Sequence, residues 1–240
     1  YYLGRAVAAE VIAKYGLDPD PARQDYVRKI GASIVELSSR LKGTYGGYHF
    51  AVLDTDVANG VSGPGGFVFI TRGALLRCES EDEVAAILAH ELAHVNLQHG
   101  EAVIRKQRSG AAFGKMMLGV VAGAADAGGQ TLAQNMPAML GEMAKDFATD
   151  LVETGYGPET ELEADREGAL LLYDTGYDAN ALSQYLKASP KRQLGTWANH
   201  PPAAARIKAL EPLLADYGGP FDGGVGKEAR DARFARILGS

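Results

Sequence analysis

The stretch ILAHELAHVNLQHG, Ile87 to Gly100, places three histidines and one glutamate in an otherwise aliphatic run. On a helix, positions four apart project from nearly the same face, so His90 and His94 sit one turn apart with imidazoles able to converge on one ion. Glu91 lies about 100° further round from His90, beside such an ion rather than on it. This is the H-E-x-x-H arrangement: two metal ligands plus a carboxylate placed to handle the proton of a metal-activated water. The competing reading is a buried helix with incidental histidines.

His99 invites a different pattern. A three-histidine site of the form H-E-x-x-H-x-x-G-x-x-H needs Gly at 97 and His at 100, whereas this chain has Leu97 and Gly100. If the helix continues, His99 points away from His90, so it is expected to be a surface or helix-end histidine. A catalytic zinc site has three protein ligands and an open position, and the remaining ligand must come from elsewhere. ELEAD, Glu161 to Asp165, offers a carboxylate: Glu161 and Asp165 share one helical face, while Glu163 points away from it. Glu161 would complete the shell, and Asp165 would accept the N–H of a ligating histidine and fix its tautomer. The alternative is an exposed acidic helix start, where carboxylates favour the helix dipole.

The elements around these residues follow from periodicity and punctuation. Asp20-Pro21 reads as an N-cap with Pro in the first turn, and Tyr26, Ile30, Ile34, Leu37 and Leu41 continue it as an amphipathic helix to about Leu41. Tyr48 to Thr55 alternates like a strand, Asn59 to Gly66 (NGVSGPGG) is turn material, and Phe67 to Thr71 is a second strand. Ser80 and Glu83 form a capping box before the histidine helix, which should start near Glu81 and end by Gly100. Further helices are expected from Pro158 to Gly176, over Ala181 to Leu186 with Asn180 as cap, and over Pro202 to Leu214. The expected architecture is α+β and predominantly helical, one domain over 1–240 with a small sheet beside the histidine helix. Its parts are N-terminal helices (1–43), the sheet and active-site helix (44–100), a Gly/Ala/Met-rich segment (109–150), the third-ligand and C-terminal helices (158–217) and a tail (218–240).

The 240 residues carry a formal charge of −6, 46% hydrophobic and 22% charged residues. That balance argues against a nucleic-acid binder, which needs a basic face. The lone Cys78 excludes an intrachain disulfide and a cysteine zinc cluster. No stretch reaches the roughly 18 uncharged apolar residues of a membrane span; the closest, Gly110 to Gly129, is interrupted by Lys115 and Asp126. The chain opens on Tyr1-Tyr2, for which a processed N-terminus and a removed signal peptide are the expectation.

GGFVFITRGALL…SEDEVAAILAHELAHV, then ELEADREGALLL and later NHPPAAARI, resembles the zinc metallopeptidase family that includes HtpX, the CAAX prenyl endopeptidases and soluble periplasmic proteases of the BepA kind (peptidase family 48, gluzincin type). The resemblance runs from the N-terminal helices to Leu210. It implies a zincin-like domain holding one Zn2+, with the glutamate of E-x-x-x-D, here Glu161, as third ligand and Asp165 supporting a ligating histidine. The membrane spans of HtpX and the long helical-repeat extension of the BepA kind have no counterpart here, so the soluble branch is expected. NGVSGPGG is more Gly-rich than the usual family loop.

The resulting expectation is zinc-dependent endopeptidase activity, with Glu91 taking the proton of the attacking water and returning it to the leaving amine. Oxyanion support would come from His200 or Arg206 in NHPPAAARI. For His200 two other roles stand: occupying the open metal position and keeping the enzyme latent, as the resemblance implies, or bracing a helix start. Phe67 to Thr71 is expected as a sheet edge beside the site, where Gly66, Phe67, Val68 and Phe69 would pair with an extended substrate. The Met-rich segment around Met116, Met117, Met136 and Met139 would cover the cleft, touch a membrane-associated client, or pack as ordinary core. Substrates would be unfolded or misassembled polypeptides of the periplasm or cell envelope, with peripheral membrane contact and no nucleic acid. The rival reading is a client-binding or outer-membrane assembly factor whose proteolysis is weak or conditional.

Overall fold

Ser80 caps a helix as its sequence context requires. Its side chain accepts the Glu83 N–H, and the Glu83 carboxylate reaches back to the Glu79 N–H, one residue earlier than in the usual reciprocal pair. The computed structural model describes residues 1–108, 141–151, 155–188, 201–217 and 226–239. In chain order these form α1 (Tyr2–Tyr15), α2 (Pro21–Leu37), β1 (His49–Leu53), β2 (Gly60–Gly63), β3 (Phe67–Thr71), α3 (Arg72–Leu75), α4 (Glu81–Asn96) and α5 (His99–Arg108). After these come α6 (helical over 141–151), α7 (Pro158–Asp174), α8 (Ala181–Lys187), α9 (Ala203–Tyr217) and α10 (Lys227–Leu238).

The helix capped by Ser80, α4, is the central element: every residue in it except Asp82 is buried. A helix apolar on all sides belongs inside a domain rather than on its surface. One side of α4 meets the sheet and α2, and the other meets α7 and α8. The three strands lie in the order β1-β3-β2, with β1 parallel and β2 antiparallel to β3. Both faces of β3 are covered. Val68 and Ile70 join the main core with α2 and α4, while Phe69, with Leu53 and Val61, joins a second cluster built from α1, Ile104 and the 141–151 helix. This is why FVFIT reads as an unbroken apolar run rather than an alternation.

Four expectations are corrected here. The turn material Asn59 to Gly66 contains a strand, β2, whose four residues are all buried. With β2 on its flank, β3 is the middle strand, so Gly66, Phe67, Val68 and Phe69 do not form a free sheet edge. The second helix stops at Leu37, where Ser38 turns extended and its side chain accepts the Arg40 N–H, well before Leu41. Within the expected tail, 227–238 is helical, and Phe234, Ile237 and Leu238 pack on the main core. Arg233 of this helix holds the buried Glu81 carboxylate at 2.5 and 3.1 Å, pinning α10 to the start of α4. His200 and the methionines Met116, Met117, Met136 and Met139 lie outside the described residues.

Candidate metal centre

The inner face of α4 carries His90 and His94 towards α7. Their Nε2 atoms lie 3.1 Å apart, with the rings nearly perpendicular at 83°. Glu161, in the first turn of α7, brings Oε2 within 3.3 Å of His90 Nε2 and Oε1 within 3.4 Å of His94 Nε2. All three side chains are buried, and their donor atoms form a compact trio. With zinc–ligand bonds of about 2.0–2.1 Å, tetrahedral ligand atoms stand roughly 3.3 Å from one another. The observed spacings have that size, and two imidazoles with one carboxylate form a suitable donor set for zinc. The residues present therefore fit the ion.

The helices approach closely enough for this because α7 presents Gly168 to α4. A Cβ there would lie 3.1 Å from the His90 amide nitrogen and 3.2 Å from its Cα. Gly168 is one turn beyond Asp165 and two beyond Glu161, so one face of α7 carries both carboxylates and the clearance that lets them approach α4.

Asp165 is fully buried, and its Oδ1 lies 2.9 Å from His90 Nδ1. Its other partner is Arg206 on α9, whose Nε and Nη2 donate to the two carboxylate oxygens at 2.7 and 2.5 Å. Arg206 thus spends two of its guanidinium nitrogens on Asp165, and its buried side chain also lines the cavity beside His90, Glu91 and His94. Burial alone would depress His90, but Asp165 and Glu161 outweigh it and lift its pKa to about 10. Burial, reinforced by the neighbouring His90, pushes His94 well below its ordinary value. The pocket thus favours a positive charge where the carboxylates converge, as a cation site requires.

Glu91 turns to the other side of α4, towards β2. The Ser62 hydroxyl donates to its Oε2 at 2.7 Å, while Gly60 faces its Oε1, which a Cβ would approach to 2.4 Å. Tyr156 completes this wall. Its ring stacks on His94 (centroids 4.5 Å apart, 29° between planes), and its hydroxyl donates to the Ser62 carbonyl at 2.5 Å. Burial, then Glu91, hold its phenol pKa well above the ordinary 10, so it remains a donor. His90, Glu91, His94 and Glu161 border one cavity of about 10 Å³, lined also by β2, Leu151, Gly155, Tyr156 and Arg206. A space of that size takes about one water-sized occupant. A much larger groove, about 630 Å³, lies between α2 and α10, away from these histidines.

The expectation for His99 is also corrected. The helix does not continue: Leu97 ends it, and Gln98 takes φ 59, the left-handed region. His99 turns back instead, is 5% exposed, and places Nδ1 2.8 Å from Nδ1 of His94. Gly60, Ser62, Tyr156 and Gly168 were not foreseen as site residues. The clue for two of them was the density of small residues in NGVSGPGG, which permits close backbone approach; Tyr156 had no such signal.

Among the described residues, no helix is long and apolar enough to cross a membrane. Residues 21–214 match the model of peptidase family M48. The chain is 26% identical over 174 residues to the beta-barrel assembly-enhancing protease of Escherichia coli K12, covering 70% of this chain and 33% of that protein. A Vibrio cholerae relative named for the same activity is 29% identical over 172 residues, or 69% of this chain and 32% of the relative. The chain thus spans about a third of the length of these curated relatives. With the mitochondrial metalloendopeptidase OMA1 of Schizosaccharomyces pombe, identity is 28% over 218 residues, 86% of this chain and 58% of that protein. The matched segment carries the H-E-x-x-H helix and the converging glutamate of α7, and this chain belongs to peptidase family M48.

Proposed function

We propose that this chain is a zinc-dependent endopeptidase, with His90, His94 and Glu161 holding one Zn2+ and Glu91 as general base. The observation that carries the proposal is the buried convergence of these three ligands at 3.1–3.4 Å, beside a carboxylate oriented by Ser62. Bound there, zinc would lower the pKa of a water to about 7 and polarise the scissile carbonyl. Glu91 accepts the proton of the attacking water and returns it to the leaving amine. Ser62 fixes one Glu91 oxygen and thereby aims the other. Asp165, clamped by Arg206, sets the tautomer and ring orientation of His90.

Backbone recognition of an extended substrate falls to β2, the sheet edge beside Glu91, in place of β3. Such pairing is sequence-tolerant and suits unfolded or misassembled polypeptides. The beta-barrel assembly-enhancing relatives support clients in the cell envelope and a periplasmic or envelope location.

One observation favours a second reading, a client-binding or assembly factor with conditional proteolysis: the space beside the ligand trio is small, about 10 Å³, with Tyr156 stacked on His94 as part of its wall. His200 retains three roles that one substitution separates. In His200→Ala, higher activity means latency, a large loss of kcat means oxyanion support, and no change means bracing.

The deciding experiment compares wild type with Glu91→Gln on casein, with metal content measured in both. One zinc in each and cleavage by wild type alone is expected. Equal cleavage removes Glu91 from the mechanism, and zinc-loaded wild type and His200→Ala that both leave casein intact assign the chain to the second reading.

A further inference from the structure

We infer that His99 is a positioning residue for the metal centre: it fixes the tautomer of His94 through the Nδ1···Nδ1 hydrogen bond and passes that bond outward to Glu163. The inference rests on the zinc reading of His90, His94 and Glu161.

Two ring nitrogens 2.8 Å apart share one proton, so one donates and the other accepts. The Nε2 of His94 faces His90 and Glu161, and as a ligand it must present a lone pair. A neutral His94 then carries its proton on Nδ1 and donates it to Nδ1 of His99. His99 in turn carries its own proton on Nε2, which lies 3.3 Å from Oε2 of Glu163. Each assignment forces the next, and none leaves two donors face to face. The chain of bonds ends on a carboxylate 65% exposed, so its charge is solvated rather than buried.

The two ligating imidazoles are therefore held by different devices. His90 leans on a buried carboxylate that Arg206 neutralises. His94 leans on a neutral ring, in a pocket that already holds Glu91, Glu161 and Asp165. Another buried carboxylate there would carry a heavy desolvation cost. His99 is not itself a ligand, because its Nδ1 meets the side of His94 facing away from the donor trio.

The backbone is built for this contact. Gln98 is the single non-glycine residue with positive φ among those described. A strained residue persists where its surroundings require the conformation, and here it turns His99 back beneath His94.

The test is zinc competition against a chelator for wild type, His99→Leu, His99→Asn and Glu163→Gln, together with the Nδ1–H proton resonance of His94 in the zinc-loaded protein. Leucine keeps bulk but lacks an acceptor, whereas the Asn Oδ1 restores one near the position of Nδ1. Loss of such an outer hydrogen-bond partner typically weakens metal binding about 10–100-fold. That loss, with disappearance of the resonance, is expected for His99→Leu. His99→Asn should keep the resonance and recover most of the affinity, and Glu163→Gln should lose only a few-fold. If His99→Leu destabilises the metal-free chain, the Nδ1–H resonance of His94 in the zinc-loaded proteins, kept in His99→Asn and lost in His99→Leu, still decides. Unchanged affinity in His99→Leu, or an equal loss in His99→Leu and His99→Asn, overturns the role of His99 while leaving the zinc site intact. A wild type that binds no zinc overturns the site and this inference together.

Discussion

Replacing Gly60 with alanine would place a Cβ 2.4 Å from Oε1 of Glu91 and 3.0 Å from its Cδ and Cγ. Ordinary van der Waals contact begins near 3.4 Å, so one partner must retreat by about 1 Å. The strand is poorly placed to yield, since Gly60 is paired with Ile70 and the neighbouring Asn59 carbonyl accepts the Thr71 N–H at 2.9 Å. The Glu91 carboxylate is the freer of the two. A misplacement of about 1 Å at a reacting group can cost on the order of 100-fold in rate, which corresponds to roughly 2.7 kcal/mol of barrier. The new methyl meets none of His90, His94 and Glu161, the proposed zinc ligands, among its nearest contacts, so zinc content should hold, while overpacking lowers stability by about 1–3 kcal/mol. Steady-state cleavage of a casein-derived fluorogenic peptide, with zinc per chain and urea unfolding on the same preparations, reads all three quantities. The expected signature is a large fall in kcat, little change in KM and full metal loading. A folded, zinc-loaded Gly60→Ala enzyme with kcat within about threefold of wild type, a negligible change in barrier, would refute the placement of Glu91 as proton carrier.

Gly168→Ala should push α7 from α4 by a few tenths of an ångström, costing about 1–2 kcal/mol in urea unfolding and weakening zinc binding. Asp165→Asn leaves the buried Arg206 charge uncompensated and should cost about 3–5 kcal/mol by the same measurement. Burial works against ionisation of Asp165, yet Arg206 and His90 hold its pKa at about 2, below the ordinary 3.8. Because the folded value is the lower one, this stabilisation is full above about pH 4 and drains as pH falls through 2; metal-free unfolding across that window should show a loss on the order of 2 kcal/mol that Asp165→Asn lacks. Gln98→Gly removes a left-handed side-chain penalty and should raise the urea midpoint by the equivalent of about 0.5–1 kcal/mol, whereas Gln98→Ile should lower it.

The legible parts of the site were those written in short-range spacing. His90, Glu91 and His94 declare themselves because a helix repeats every 3.6 residues, and Ser80 and Glu83 mark where that helix begins. Glu161 and Asp165 share a face for the same reason, and α7 carries both into the site. Strand β2 was hidden because GVSG has weak strand preference. Its pairing with β3 and its packing on α4 make it a strand, and glycine is needed there because Glu91 leaves no room for a Cβ.

Donor types, helix periodicity and the H-E-x-x-H helix are therefore properties of the chain read locally. Which partner each donor meets is a property of the packed molecule. Arg206 meets Asp165 across 41 residues, and Tyr156 reaches Ser62 across 94. His99 needed both kinds of information: a helix would have turned it outward, but the left-handed Gln98 and the enclosing side chains turn it back onto His94. Such contacts are selected by burial, since a polar group removed from water must find a partner, and that partner is whichever group the fold brings within reach.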